Sequence, residues 1–399
     1  MPLFITVLNK MSSPAHEVSR NDYKSGRYDF IDFTRGVVMI VMAWDHLAGF
    51  WGKYKGGKTL IDRAPFPQVF AWFMSRFITH YCAPTFIFLA GTVLAVSTAR
   101  RLALGQTQTD ASVRILKRGL ILVFLQYFVV NGAWDKQGDL FSYLFCVIAC
   151  IGACFIIFSV ARFLPPNIIL ALSLLIIMNH QFLKLDWIPN NVWWGHYIRV
   201  IIHEPNEVDW YPFTGRYPVI PWVGVMGLGW VFGLLLNGYD SSNVGRLVKP
   251  LLIVGFLAKA LWFIIRFFNG YGNLRLRMDD SLWEWLWLAK YPPSLGFLLW
   301  TLGGTALIMA IGLILFERFN PSKGGLGFIT TLGRTALFFY IAHLWVYRFR
   351  LPGALPSDIK LDFIPSVIAW LAGLPVLWQL CVRYERLKGR HPNSILQYI

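Results

Sequence analysis

The stretch that decides the fold reads IDFTRGVVMIVMAWDH, residues 31–46. Gly36 to Ala43 form an apolar run, and with Leu47 to Phe50 the segment reaches the roughly 20 residues that cross a bilayer once. Ionisable side chains inside such a span are costly, so each is a candidate for function. Arg35 and His46 stand eleven residues apart, close to three helical turns. They therefore share nearly one helix face, about 16 Å apart along the axis. Asp45, next to His46, points about 100° away.

Working outward, the whole chain keeps this character. Its 399 residues are 56% apolar and 15% charged, against about 25% charged in soluble domains. Mean hydropathy is +0.51. These values exclude a disordered chain, a disulfide scaffold and an ordinary soluble enzyme. Apolar segments recur at 31–50, 69–98, 115–133, 140–163, 167–182, 218–236, 251–268, 294–316, 328–346 and 364–382. The pattern predicts an all-α polytopic membrane protein with about ten transmembrane helices around a central tunnel. A cytoplasmic tail is expected at 1–28, the transmembrane domain at 29–384 and a second cytoplasmic tail at 385–399. The net charge of +16 fits basic loops that orient spans and meet anionic lipid heads, not nucleic acid. A slight excess of Lys and Arg in alternate loops places the N-terminus inside.

Cys146, Cys150 and Cys154 recur every fourth residue, which predicts a small-residue packing stripe rather than a zinc site. His196 and His203 lack an evident third ligand, so no metal is expected. The Trp-rich loops 183–216 and 269–290 fall outside and read as an interfacial aromatic belt, with a sugar- or lipid-facing vestibule as the alternative. No internal repeat is visible, which counts against an inverted-repeat transporter.

This topology brings polar residues to one depth. Arg76 and His80 are four apart on one face of the second span, and Pro84 frees a backbone carbonyl and bends that helix. Tyr340 and His343 fall in the outer half of the ninth span. Arg216 and Lys290 stand where two further spans meet the outer surface. With Asp45 and His46 these residues form a candidate site, and scattered interfacial polar residues are the alternative.

Five segments, 31–46 (IDFTRGVVMIVMAWDH), 76–91 (RFITHYCAPTFIFLAG), 217–233 (YPVIPWVGVMGLGWVFG), 290–304 (KYPPSLGFLLWTLGG) and 332–343 (LGRTALFFYIAH), resemble the bacterial membrane branch of the heparan-α-glucosaminide N-acetyltransferase family. The spacing of Arg35 and His46 is also similar to that of the wider transmembrane acyltransferase superfamily that modifies surface glycans. The resemblance implies a membrane enzyme that takes acetyl from cytosolic acetyl-CoA and passes it to a sugar amine or hydroxyl on the far side. By position, Arg35 matches the donor-side arginine and His46 the catalytic histidine. The lysosomal members place that histidine in the loop after the first span. Here the loop at 51–67 has none, so His46 or His80 takes the role. A bacterial inner-membrane location is implied, and self-association is left open.

Expected roles follow. His46 is general base or transient acetyl carrier, and Asp45, His80 and Arg76 complete the catalytic set, with Arg76 as oxyanion donor. Arg35, Arg114, Lys117 and Arg118 hold the phosphates of acetyl-CoA. Arg216, Lys290, Tyr340 and His343 face the sugar or glycolipid acceptor. The alternatives are a proton-coupled transporter or flippase using the same Arg/His cluster, and a scaffold in which these cations only pack.

Overall fold

The computed structural model describes residues 28–53, 70–134, 143–204, 213–239, 243–318, 325–349 and 359–398. The expected N-terminal tail, Trp210 and most of the loop at 51–67 lie outside these residues. The chain separates into two compact units. The first comprises Met1–Tyr28, Phe86–Gln126 and Leu144–Pro250, and the second Asp29–Thr85, Tyr127–Tyr143 and Leu251–Ile399.

Helices dominate both units. Among the described residues five apolar helical runs are long enough to cross a membrane: Phe70–Ala103, Val219–Leu236, Val244–Phe268, Leu295–Phe316 and Phe363–Arg390. The protein is thus a helical membrane protein. The opening helix α1 (Asp29–Trp51) has 23 residues. It is not one of those five, because Arg35, Asp45 and His46 interrupt its apolar character.

In the second unit, α1 is the hub. Around it stand α2 (Phe70–Thr79), the start of α3 (Cys82–Ala103), the end of α10 (Val248–Phe268), α12 (Leu295–Arg318), α13 (Gly325–Arg334), α14 (Ala336–Arg348) and α15 (Phe363–Arg390). Of these, α2, α12, α13, α14 and α15 pack directly on α1. The α1–α13 approach is backbone to backbone. A Cβ on Gly333 would collide with the Asp32 carbonyl, and one on Gly36 with the Ile329 carbonyl. Glycine is what lets these helices close to that distance.

The long second segment is two helices rather than one tilted span. Pro84 has no N–H to donate, so the His80 carbonyl has no partner four residues on. The chain tightens instead, with His80 N–H to Phe77 O (3.3 Å) and Tyr81 N–H to Ile78 O (3.3 Å). The break therefore falls at His80 and Tyr81, and Pro84 sits harmlessly in the first turn of α3. The ninth segment also divides, at Thr335, between α13 and α14. The last helix passes the expected boundary at 384 and reaches Arg390, held by Arg334 Nε to Glu385 Oε1 at 2.6 Å.

The first unit contains the rest of α3, α4 (Gln108–Leu125), α6 (Val147–Ala161), α7 (Pro166–Asn179), α8 (Trp193–Ile202), α9 (Val219–Leu236) and a small ladder of β1 (Tyr143–Phe145) with β2 (Phe213–Gly215). Gly119 of α4 and Gly152 of α6 face each other at the closest approach of that pair. Cys146, the N-cap of α6, and Cys150 and Cys154 on that helix are all buried and form no disulfide. After α4 comes a π-helical turn, Gln126–Val130, and a short helix α5 (Asn131–Trp134). Such turns re-aim the chain locally, and here α5 delivers Trp134 to the second unit.

The segment 269–290 is tightly folded. Arg266, only 1% exposed, donates to the carbonyls of Trp285 (3.1 Å) and Arg275 (3.1 Å), to the Glu284 carbonyl, and to Asn273 Oδ1 (2.8 Å). Glu284, on α11 (Leu282–Leu286), accepts from both terminal nitrogens of Arg275 at 3.0 and 2.7 Å. Arg275 lies over Trp287 and Arg277 over Trp285, each at 4.1 Å. Trp283 packs edge-on to Phe70 and Phe73 of α2. The segment ends at Lys290.

Candidate active site

The second unit places two imidazoles edge to edge. His46 Nδ1 and His343 Nε2 are 2.6 Å apart. The ring planes differ by 7° and the centroids by 4.9 Å. That centroid separation leaves one ring radius on each side of the short N···N contact, so the rings are coplanar in a shared hydrogen bond and not face-stacked. His343 Nδ1 lies 2.7 Å from the Phe339 carbonyl, one turn earlier on α14.

This geometry assigns the protons. A carbonyl only accepts, so His343 Nδ1 carries hydrogen. In the neutral ring His343 Nε2 is then the lone pair, and His46 Nδ1 must donate to it. With both rings neutral, the His46 Nε2 atom carries the lone pair that a general base requires. His343 is fully buried, while His46 keeps partial exposure. Trp134 (4.9 Å) and Tyr340 (6.0 Å) stand edge-on to the His46 ring.

On the neighbouring flank, Asp45 pairs with Arg76 through Oδ1 and Arg76 Nη1, and the Thr79 hydroxyl donates to the same oxygen at 2.9 Å. Both charged side chains are largely buried, at 17% and 11% exposed. Lys290, 6% exposed, is close enough to act electrostatically on both Asp45 and His80. His80 sits at the α2–α3 break between the rings of Phe77 (6.0 Å) and Phe297 (5.4 Å). Trp44 and Trp72 stack at 5.9 Å beside the pair.

The second unit therefore gathers Asp45, His46, Arg76, His80, Lys290, Tyr340 and His343. Arg35 is on the same α1 helix, toward its other end, where Asp32 is buried. Arg114, Lys117 and Arg118 share one face of α4 in the first unit, and Arg216 lies there too, its N–H donating to Phe145 O at 3.1 Å. Sequence reasoning paired His203 with His196. The structure pairs it with His180 instead, His180 Nδ1 to His203 Nε2 at 3.1 Å. Among the described residues no group of three His, Cys, Asp or Glu is placed to hold a metal.

Three contributors were not read from sequence. Thr79 and the Phe339 carbonyl carry no local signal. Lys259 did carry one, as a lysine inside an apolar run. It lies on α10, donating to Tyr81 Oη and the Trp300 carbonyl, both at 2.7 Å.

The catalytic-domain model of heparan-α-glucosaminide N-acetyltransferase matches residues 27–265. The chain belongs to this family. The match includes Arg35, Asp45, His46, Arg76 and His80, and ends before Lys290, Tyr340 and His343. No curated protein matches the chain.

Proposed function

We propose that this member of the heparan-α-glucosaminide N-acetyltransferase family moves acetyl from cytosolic acetyl-CoA to a glycan or glycolipid on the far side of the membrane. What supports this reading is the short His46–His343 contact, anchored on the Phe339 carbonyl, which leaves one lone pair on His46 when both rings are neutral. His46 Nε2 takes the proton of the acceptor as it attacks the thioester carbon, and returns a proton to the departing sulfur. His343 is a positioning residue that holds the His46 tautomer and ring plane. Cations beside it, Arg76 or Lys290, stabilise the oxyanion of the tetrahedral intermediate. Arg35, about 16 Å down α1, receives the phosphates of the donor. Such a span suits the extended arm of coenzyme A through a tunnel between about ten helices, with the N-terminus cytoplasmic. Tyr340 is proposed as an acceptor contact. A bacterial inner membrane is the proposed location.

Calorimetry of the purified chain in lipid nanodiscs tests the donor. Acetyl-CoA should bind saturably below about 1 mM, and Arg35→Gln should weaken it without unfolding the protein. No binding of acetyl-CoA or CoA at that concentration would remove the acetyl-transfer reading. Labelled acetyl retained on the protein in the absence of acceptor would select the acetyl-histidine route over direct transfer.

A further inference from the structure

Lys259 lies near the middle of α10, inside the apolar run Val244–Phe268. A lysine at such a depth is costly, and by default it marks a function. Its Nζ donates to Tyr81 Oη and to the Trp300 carbonyl, both at 2.7 Å, and lies over the Trp300 ring at 3.2 Å. We propose that Lys259 is a positioning residue: by clamping Tyr81 against α12 it fixes the break between α2 and α3, and with it the place of His80 beside Asp45 and Arg76. The clamp rests on geometry alone, whereas its bearing on turnover rests on the acetyl-transfer reading.

His80 needs such help. His46 shares a hydrogen bond with His343, but His80 Nδ1 is buried with no hydrogen-bond partner among the described residues. Phe77 and Phe297 pack on its ring without fixing its direction as a hydrogen bond would. The ring is therefore placed by its backbone. That backbone is the break itself, where the N–H groups of His80 and Tyr81 reach their carbonyls at 3.3 Å, longer than the ordinary bond of about 2.9–3.0 Å. Two weak bonds alone would leave a hinge there. His80 lies within electrostatic reach of Asp45, Arg76 and Lys290, so movement at the hinge would shift the ring against that whole charged flank.

Tyr81 closes the hinge because both parts of its side chain meet α12. The ring packs into a notch at Gly304, where a Cβ would overlap it. The hydroxyl is tied through Lys259 to the Trp300 carbonyl, one turn earlier on the same helix. Lys259 reaches that carbonyl because α10 and α12 approach closely, with Gly303 against Ala258 and the Gly255 carbonyl. One turn further along α3, the hydroxyls of Thr85 and Thr305 share a 2.6 Å bond, so α3 is fastened to α12 at two successive turns. An apolar residue of equal length would be cheaper in a bilayer. What the lysine adds is the two bonds it donates.

Two variants of the full chain in lipid nanodiscs test the clamp. Lys259→Met keeps the length of the side chain and donates nothing. Tyr81→Phe keeps the ring in its notch and loses the hydroxyl, and it carries the test if the first variant folds poorly. Hydrogen exchange read by mass spectrometry should run about 2-fold to about 10-fold faster across residues 77–85 in each variant, as expected for losing one such bond, while α13 to α15 keep their rates. With acetyl-CoA and a sugar acceptor, kcat should fall by about 10-fold to about 100-fold, the usual penalty for a small misplacement of a reacting group, with acetyl-CoA affinity unchanged within about twofold. His80→Ala should lower kcat as well, and adding Lys259→Met to it should cost little more, because both act through one ring. Unchanged exchange at 77–85 in both variants overturns the clamp, as does faster exchange spread evenly over the unit. A normal kcat in Lys259→Met or in His80→Ala, or fully additive losses in the double variant, overturns the positioning role. A chain that neither binds acetyl-CoA nor releases its thiol condemns the acetyl-transfer reading instead, and the exchange result still decides the clamp.

Discussion

Replacing His343 with leucine tests the tautomer assignment directly. The substitution keeps an apolar side chain of similar bulk in a fully buried position. It removes the acceptor of the 2.6 Å bond from His46 Nδ1. A buried donor left without its acceptor costs about 1–3 kcal/mol. That cost falls on the tautomer with hydrogen on Nδ1, which is the one that leaves Nε2 free to act as base. At 1.36 kcal/mol per decade the fraction of competent His46, and hence the rate, should fall by about 5-fold to about 150-fold. Losing the base altogether, as in His46→Ala, should cost about 10²–10⁴-fold. His343→Gln should recover part of the loss, because an amide can donate to the Phe339 carbonyl and accept from His46 at once. The assay is the initial rate of thiol release from acetyl-CoA in nanodiscs with a sugar acceptor, with acetyl-CoA affinity and thermal stability measured on each variant. Donor affinity should stay within about twofold, since His343 lies far along the helix bundle from Arg35. A leucine variant that keeps its rate within about twofold at normal stability would refute the relay. So would a glutamine variant no better than leucine.

Two other perturbations test the frame. Gly333→Ala places a methyl against the Asp32 carbonyl, a backbone atom that cannot rotate away; the α1–α13 contact must open, with a loss of roughly 1–3 kcal/mol or more, read as a lower thermal midpoint and poorer yield, and an unchanged midpoint would mean the helices are not so close. Burial holds His203 below its ordinary imidazole range, against the opposing charge of Glu204 and the bond with His180. The folded state therefore binds that proton less readily than the unfolded chain, so stability is full above about pH 6.5 and declines as pH falls below it. His203→Gln should flatten the decline, and an identical slope in that variant would assign it to another group.

The membrane character was legible because a bilayer demands continuous apolar runs, and substituting Leu for Ile within them changes nothing. Breaks were harder. Pro84 announced a missing donor, but the resulting break lies at His80 and Tyr81, because the orphaned group is a carbonyl one turn earlier. Thr335 announced nothing, and the α13–α14 division follows from tertiary packing. The α1 face carrying Arg35 and His46 came straight from helical arithmetic. Its partner across the bundle did not, since no periodicity links positions 46 and 343; shared depth brought both to the same level, and only the folded chain turns one ring toward the other. Arg266 reads in sequence as a loop cation, yet it is almost wholly buried, because the segment after it folds back to supply carbonyls for its guanidinium. Cations are placed by the oxygens they find, and those oxygens are non-local.

The same reasoning explains why the orienting group of the proposed base is a histidine and not a carboxylate. A catalytic base inside a membrane must be held by an acceptor, and a carboxylate there would bring a charge whose desolvation has to be offset by a fixed cation. Asp45 shows what that requires: Arg76 and Thr79 are both consumed in holding it. His343 needs only the Phe339 carbonyl, and a helix supplies one at every turn. Because that carbonyl cannot donate, it locks His343 Nδ1–H, and the lock passes through the ring to His46 with no net charge created. With Arg76 committed to Asp45, the proposed transfer keeps its positive flank, Lys290, for the oxyanion that forms as the thioester is attacked. A second carboxylate at the base would have cancelled that flank, and a bare hydrophobic residue would have left His46 free to choose the wrong tautomer.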